Sequence, residues 1–205
     1  VRQTGGKVTG VSTTRGDIEC DKLGMVVAGH SGQLANMAGF RLPMESVALQ
    51  ALVSEPIKPC MDVVVMANTV HGYMSQSDKG EMVIGGGTDG YNNYTQRGSF
   101  HHIEETVRAL VETFPMISRL KMLRQWGGIV DVTGDRSPIL SKTPVEGVFI
   151  NGGWGTGGFK AIPGSGWGFA ELMAKGHSPL TDAFGLERFA EGRFIDESVA
   201  AGVAH

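Results

Sequence analysis

The chain has 205 residues, enough for one domain with a sizeable core or for two small ones. Its 41% hydrophobic and 19% charged content is ordinary for a globular protein, and a formal net charge of -3 gives no support for nucleic-acid or anionic-membrane binding. No apolar run approaches the ~18 residues that cross a bilayer, no signal peptide is visible, and Cys20 and Cys60 lack the spacing of a zinc site or redox pair; the expectation is a cytoplasmic protein with two free thiols, one disulfide remaining open.

Taken in order, Val1 to Gly6 reads as the edge of a strand and its turn. The chain does not begin with methionine, so the reading is of a fragment or processed piece. Lys7 to Thr14 alternates, Arg15-Gly16-Asp17 turns, and Ile18 to Cys20 continues, which predicts a β-hairpin. Met25 to Gly29 reads as a buried strand. Leu34, Met37 and Ala38 are spaced as on a helix that stops at Gly39. Residues 1–40 therefore read as the closing hairpin, strand and helix of an α/β nucleotide-binding domain.

From Pro43 the pattern changes. Val47 to Val53, Val63 to Met66, Val70 to Met74 and Met82 to Ile84 are strand-like, with turns at Asp78-Lys-Gly80 and Gly85 to Gly90, which predicts an antiparallel sheet. Ile103, Val107, Leu110, Val111 and Phe114 fall at helical spacing, with Glu104 and Glu105 in the first turn and Pro115 past the end. Residues 122–130 predict another strand, Asp135 to Pro138 a turn before Ile139 and Leu140. His30, His101, His102, His177 and His205 stand without a constellation and are read as structural.

Val148-Phe-Ile150 then forms a buried-strand pattern that enters a loop with five glycines from Gly152 to Gly158, followed by Lys160 and Pro163-Gly-Ser-Gly166. Glycine lets a flat cofactor lie close to the backbone, and a helix start offers unpaired N–H groups. Gly153, Gly155 and Gly158 spell G-x-G-x-x-G. That fingerprint should open a strand–helix–strand unit with an acid about 20 residues on, and here Pro163-Gly164 is expected to interrupt the helix. The helix is placed from about Gly166 to Lys175, and its apolar residues (Trp167, Phe169, Ala170, Leu172, Met173) nearly encircle it, which predicts burial. A glycine-rich turn without ligand is the plain alternative.

At this loop the chain resembles the FAD-dependent amine and amino-acid oxidases of the D-amino-acid-oxidase fold, most nearly the β subunits of heterotetrameric sarcosine oxidases. The resemblance runs through His71-Gly-Tyr73 with Lys79 to Gly85, through Arg124-Gln-Trp-Gly-Gly-Ile-Val-Asp131 with Thr133, Asp135 and Pro138, and through Gly152 to Lys160 with Pro163 to Gly166. It ends on Leu186-Glu-Arg-Phe189 and Ile195-Asp-Glu197. It covers only the C-terminal half of such a subunit. The strand–GxGxxG–helix that holds the ADP part of FAD, and the histidine that links FMN covalently, belong to the other half.

The fold this implies is α/β and α+β: part of an FAD-binding domain plus an antiparallel-sheet substrate domain. The closing hairpin, strand and helix occupy 1–40, the substrate domain 41–145, the return to the FAD-binding domain 146–180 and a C-terminal tail 181–205. The implied reaction is oxidative demethylation of sarcosine to glycine and formaldehyde by hydride transfer to FAD. Electrons pass on to FMN at a subunit interface, and partner subunits of α, γ and δ type complete the enzyme. Gly155, Gly157, Gly158 and Phe159 would lie against the flavin, with loop N–H groups reaching a ring carbonyl and a helix start after Gly164 adding to the field. Lys160 would pair with the substrate carboxylate, a solvated surface lysine being the alternative. His71 and Tyr73 alternate on one strand and project to one face; a structural hydrogen bond is the other reading of His71. Lys121 and Arg124 are candidates for the FMN phosphate, or plain salt bridges. A dehydrogenase of N-methylglutamate or another N-alkyl amino acid, and a non-catalytic half completing a partner's flavin site, stay open.

Overall fold

The computed structural model of the chain describes residues 1–67 and 72–195. In chain order its elements are β1 (Arg2–Thr4), β2 (Lys7–Thr13), β3 (Gly16–Glu19), β4 (Leu23–Met25), α1 (Ser31–Met37), β5 (Met44–Pro56), β6 (Val65–Ala67), β7 (Gly72–Gln76), β8 (Glu81–Thr88), α2 (Phe100–Thr113), β9 (Met122–Thr133), β10 (Ile139–Lys142), β11 (Val148–Gly152), α3 (Gly158–Lys175) and α4 (Glu187–Ala190). They fall into two compact units, Val1–Ser46 with the described residues from Val130 onward, and Val47–Ile129.

In the first unit β1, β2 and β3 form an antiparallel sheet. Gly5 and Gly6 turn between β1 and β2 at φ 59° and 79°, a conformation that glycine adopts without strain. Thr13 pairs with Gly16, so the predicted hairpin turns at Thr14-Arg15, one residue earlier than expected. A second sheet has the order β10-β11-β4, with β11 antiparallel to β10 and parallel to β4. All five residues of β11 are buried. Val148 and Ile150 join Val8, Met25, Ala35 and Ile139 in one apolar cluster, while Phe149 joins Leu140, Phe169 and Leu172 in another. That is the alternation of a strand covered on both faces. Burying Phe169 and Leu172 contributes about 1.5–3 kcal/mol each and seats α3.

Two expectations here are corrected. The strand placed at Met25–Gly29 is β4, two residues earlier; Val26 and Val27 are exposed and Ala28–His30 is a single 3-10 turn. The helix placed at Gly166–Lys175 begins at Gly158 and carries Pro163 inside it. It is also not buried all round. Gly168, Phe169 and Leu172 face the core, whereas Phe159 is 88% and Trp167 67% exposed. Pro163-Gly164 reads as a break in the sequence, but Ile162, Pro163 and Gly164 lie on the exposed side, where a proline's bulk displaces no packed neighbour.

The end of the described chain is fastened to this unit by Arg188, which is 2% exposed. Its guanidinium makes a two-pronged bond with Asp135 (Nε to Oδ2 2.7 Å, Nη2 to Oδ1 3.0 Å) and donates to the carbonyls of Phe184, Gly185 and Ser137. Asp135 also accepts from the Ser137 and Ile195 N–H groups. The Leu186-Glu-Arg-Phe189 stretch is thus a structural anchor. The small-residue tail read from the sequence falls largely beyond the described residues.

In the second unit the sheet order is β6-β7-β8-β5-β9. Direct pairs Met74–Ile84 and Gln76–Met82 put the methionines and Ile84 on one face, with Leu52 and Leu110 in the same cluster, so α2 covers that face. Tyr73 pairs with Gly85 and therefore projects to the other face. β6 and β7 match the predicted strands within two residues; Val70 and His71 lie outside the described residues. Of the glycines expected to turn at 85–90, Gly85, Gly86 and Gly87 instead sit inside β8, which runs to Thr88, and only Gly90 lies beyond it. A Cβ on Gly85 would lie 2.3 Å from the Tyr73 hydroxyl oxygen, so these glycines admit a ring across the strand. α2 starts at Phe100, which moves Glu104 and Glu105 out of the first turn. Glu105 is used sideways instead: the ring nitrogens of His102 lie 3.1 Å from buried Asp89 and 3.4 Å from Glu105, so His102 has the constellation that the sequence did not reveal.

No helix among the described residues is long and apolar enough to cross a membrane. Cys20 and Cys60 are free. Among the described residues no cluster of His, Cys, Asp or Glu could hold a metal ion.

Candidate functional site

β4 and β11 run parallel, so the loops that follow them leave the sheet at the same edge. In open α/β sheets, ligands bind outside the carboxyl ends of the strands. The loop after β4 bends through Ala28, at φ 47°, into α1. The loop after β11 is the glycine stretch. Gly153 has φ 77°, and a Cβ there would come 2.8 Å from Thr133 Cγ2; Gly155 has φ 52°. Two of these glycines are therefore required by backbone conformation, and Gly153 by space as well.

The loop is tied down from within. Gly153 N–H donates to Asp131 Oδ2 at 2.7 Å, Gly155 N–H to the Asp131 carbonyl at 2.8 Å, and Gly157 N–H to the Trp154 carbonyl at 3.0 Å. Trp154 is itself held by a 2.6 Å bond from its indole N–H to Asn151 Oδ1. The N–H groups of Gly155 and Gly157 are thus engaged inside the loop. The first N–H groups of a helix have no intrahelical partner. Those of α3 belong to Gly158, Phe159 and Lys160, and Gly157 before them supplies no side-chain cap. The positive end of this 18-residue helix is thus at Gly158 rather than after Gly164. Lys160 is the third helical residue and exposed, and its Cε lies 3.9 Å from the place of a Gly157 Cβ, so the side chain folds back along the loop.

Of the residues singled out in the sequence, Gly155, Gly157, Gly158, Phe159 and Lys160 come together at this one junction. Tyr73, Lys121 and Arg124 belong to the second unit, and His71 lies outside the described residues. Burial pushes the Tyr73 hydroxyl above its ordinary 10.0, so the half-buried phenol keeps its proton and can donate. Lys121 and Arg124 are both exposed. Lys121 just precedes β9, its N–H bound to Glu55 Oε1 at 3.0 Å, and three residues of extended chain set the two side chains toward opposite sides. Asp131 is the site residue whose role sequence reasoning missed. It was legible only as one letter of a motif, 22 residues from the nearer glycine that it holds.

Residues 1–172 match the DAO family, described as FAD dependent oxidoreductase. The chain belongs to that family. It is 78% identical over 205 residues to the sarcosine oxidase subunit beta of Rhodobacter capsulatus, covering all of this chain and 50% of the relative. It is 54% identical to the sarcosine oxidase subunit beta of an Arthrobacter species, over 98% of this chain and 50% of the relative. The chain thus spans about half the length of these curated relatives. Among solved structures, L-proline dehydrogenase from P. horikoshii superposes with a TM-score of 0.82 at 24% identity, over 92% of this chain and 52% of the other. Glycine oxidase from Geobacillus kaustophilus does so at 0.75 and 20% identity, over 87% and 48%. These two likenesses establish the fold, that of the FAD-dependent oxidoreductases.

The junction fits the flavin end of FAD. It offers uncapped helix N–H groups and a lysine where negative charge on a ring or a substrate is favoured, on a loop whose glycines leave the approach open. The family match over residues 1–172 includes the whole glycine loop and the start of α3.

Proposed function

We propose that this chain is the substrate-facing part of a sarcosine oxidase β subunit, and that the enzyme oxidises sarcosine to glycine and formaldehyde. The observation that carries this reading is the placement of Lys160 on the first turn of α3, at the end of a preset glycine loop. Bound FAD would supply the hydride acceptor. The chain's own residues bind, orient and polarise. The Lys160 ammonium pairs with the substrate carboxylate and points the amine end inward. The N–H groups of Gly158 and Phe159 favour negative charge on the ring edge. Gly155 and Gly157 contribute by lacking side chains, so that the ring can approach. Tyr73, whose hydroxyl burial pushes further above 10.0, and His71 are the other proposed substrate-site residues.

Names of the relatives as subunits support a multisubunit enzyme. Its other subunits, of α, γ and δ type, and the remainder of the β subunit are the proposed partners, acting together in the reducing cytoplasm. FMN would sit at the subunit interface with its phosphate at Arg124, the exposed cation near the start of β9, and with Lys121 close along the chain. The hydride-transfer chemistry is tested at Lys160. A charge-assisted bond in a partly buried site is worth about 1.5–3 kcal/mol. Lys160→Met in the full-length assembled enzyme is expected to raise KM for sarcosine roughly 10- to 150-fold with a smaller effect on kcat. An unchanged KM would remove Lys160 from the substrate site and this reading with it.

A further inference from the structure

Five glycines in seven residues make a segment that loses more conformational freedom on ordering than any other composition would. Something must hold it, and two of its N–H groups converge on one residue. Asp131 is 3% exposed. Its Oδ2 accepts from Gly153 at 2.7 Å, its carbonyl accepts from Gly155 at 2.8 Å, and Oδ2 also lies 3.4 Å from Ser31 Oγ. Ser31 opens α1, and its hydroxyl donates to the Ala28 carbonyl at 2.6 Å, in the loop after β4. One side chain therefore touches the glycine loop directly and reaches the loop after β4 through Ser31. A Cβ on Gly152 would come 3.0 Å from Asp131 Oδ2, so the carboxyl group fills the space under the start of the loop.

We infer that Asp131 is a positioning residue: it fixes Gly153 and Gly155 in their left-handed conformations before any ligand arrives, and so sets where the N-terminus of α3 and Lys160 stand. The inference rests on the proposed role of Lys160. A loop ordered in advance loses little further freedom on binding, so its loss weakens binding more than turnover. Asp131→Asn keeps an oxygen at the Oδ2 position, where both Gly153 N–H and Ser31 Oγ meet the carboxylate, and the backbone carbonyl still accepts from Gly155 in either variant. Asp131→Ala keeps neither side-chain contact.

The test uses both variants in the full-length assembled enzyme, with hydrogen exchange of the segment 151–160 read beside steady-state kinetics with sarcosine. Asp131→Ala is expected to speed exchange in that segment at least tenfold and to raise KM about tenfold, with kcat within about threefold. Asp131→Asn is expected to stay within about twofold of the unmodified protein in both. An Ala variant with unaltered exchange and KM overturns the inference, as does an Asn variant as impaired as the Ala one. Should the Ala variant fail to assemble, exchange in the unmodified enzyme without substrate decides. Slow exchange across 152–158 upholds a loop held in advance, and exchange at the rate of a free peptide overturns it. Failure of the proposed function is seen separately, as a Lys160→Met variant with unchanged KM while the exchange results at Asp131 stand.

Discussion

At Arg188 all five N–H donors of the guanidinium have an acceptor, and the partner carboxylate is buried with it. Breaking a buried pair by removing one member leaves an uncompensated charge and costs about 3–5 kcal/mol. Arg188→Met is expected to lower the unfolding free energy by about that much in a denaturant titration; a loss below about 1 kcal/mol would mean that the anchor carries little. Burial would raise the Asp135 carboxyl, but the Arg188 hydrogen bonds, then the Ile195 and Ser137 N–H groups and the Arg188 charge, outweigh it and hold it below 3.8. The unfolded carboxyl binds a proton more readily than the folded one, so protonation favours unfolding. The stabilisation is complete above about pH 4 and is lost as pH falls through the lowered folded value. Stability measured from pH 5 downward should fall more steeply in the unmodified protein than in Asp135→Asn, and equal slopes would contradict this account.

For elements, α3 is the most informative case. A proline inside a helix costs about 3 kcal/mol relative to alanine, from the missing donor and the ring's bulk. Pro163 lies among exposed neighbours. Pro163→Ala is expected to raise the unfolding free energy by about 1–3 kcal/mol and Tm with it; a fall would show that the ring is packed in the native state. The hairpin, the antiparallel sheet, α2 and the buried strand before the glycine loop were legible in the sequence, because alternation and helical spacing report which face is buried. The start of α3 was not, since Pro163-Gly164 looks the same whether it ends a helix or rides on an exposed side. Gly85 to Gly87 misled for a related reason. A strand glycine that admits the Tyr73 ring has the same local signature as a turn glycine. Lys160 and its loop were legible through motif resemblance. The hold of Asp131 on that loop was not, because it joins segments distant in sequence.

At the scale of the molecule, the chain spans about half the length of its relatives, and β4 pairs on one side only among the described residues. Purified alone, the chain is therefore expected to be colourless, and to become yellow with the rest of its subunit and partners; a yellow chain alone would show that this part suffices to hold flavin. The glycine loop, the α3 N-terminus and Lys160 are proposed to receive a small N-methyl amino acid at the flavin. The most direct measurement is anaerobic titration of the assembled enzyme with N-methyl amino acids while following flavin absorbance. Sarcosine should bleach the flavin in the unmodified enzyme, with roughly 10- to 150-fold more needed for half-reduction in Lys160→Met, as the loss of one charge-assisted bond requires. Bleaching by N-methylglutamate but not by sarcosine, or identical titrations of the two proteins, would contradict it.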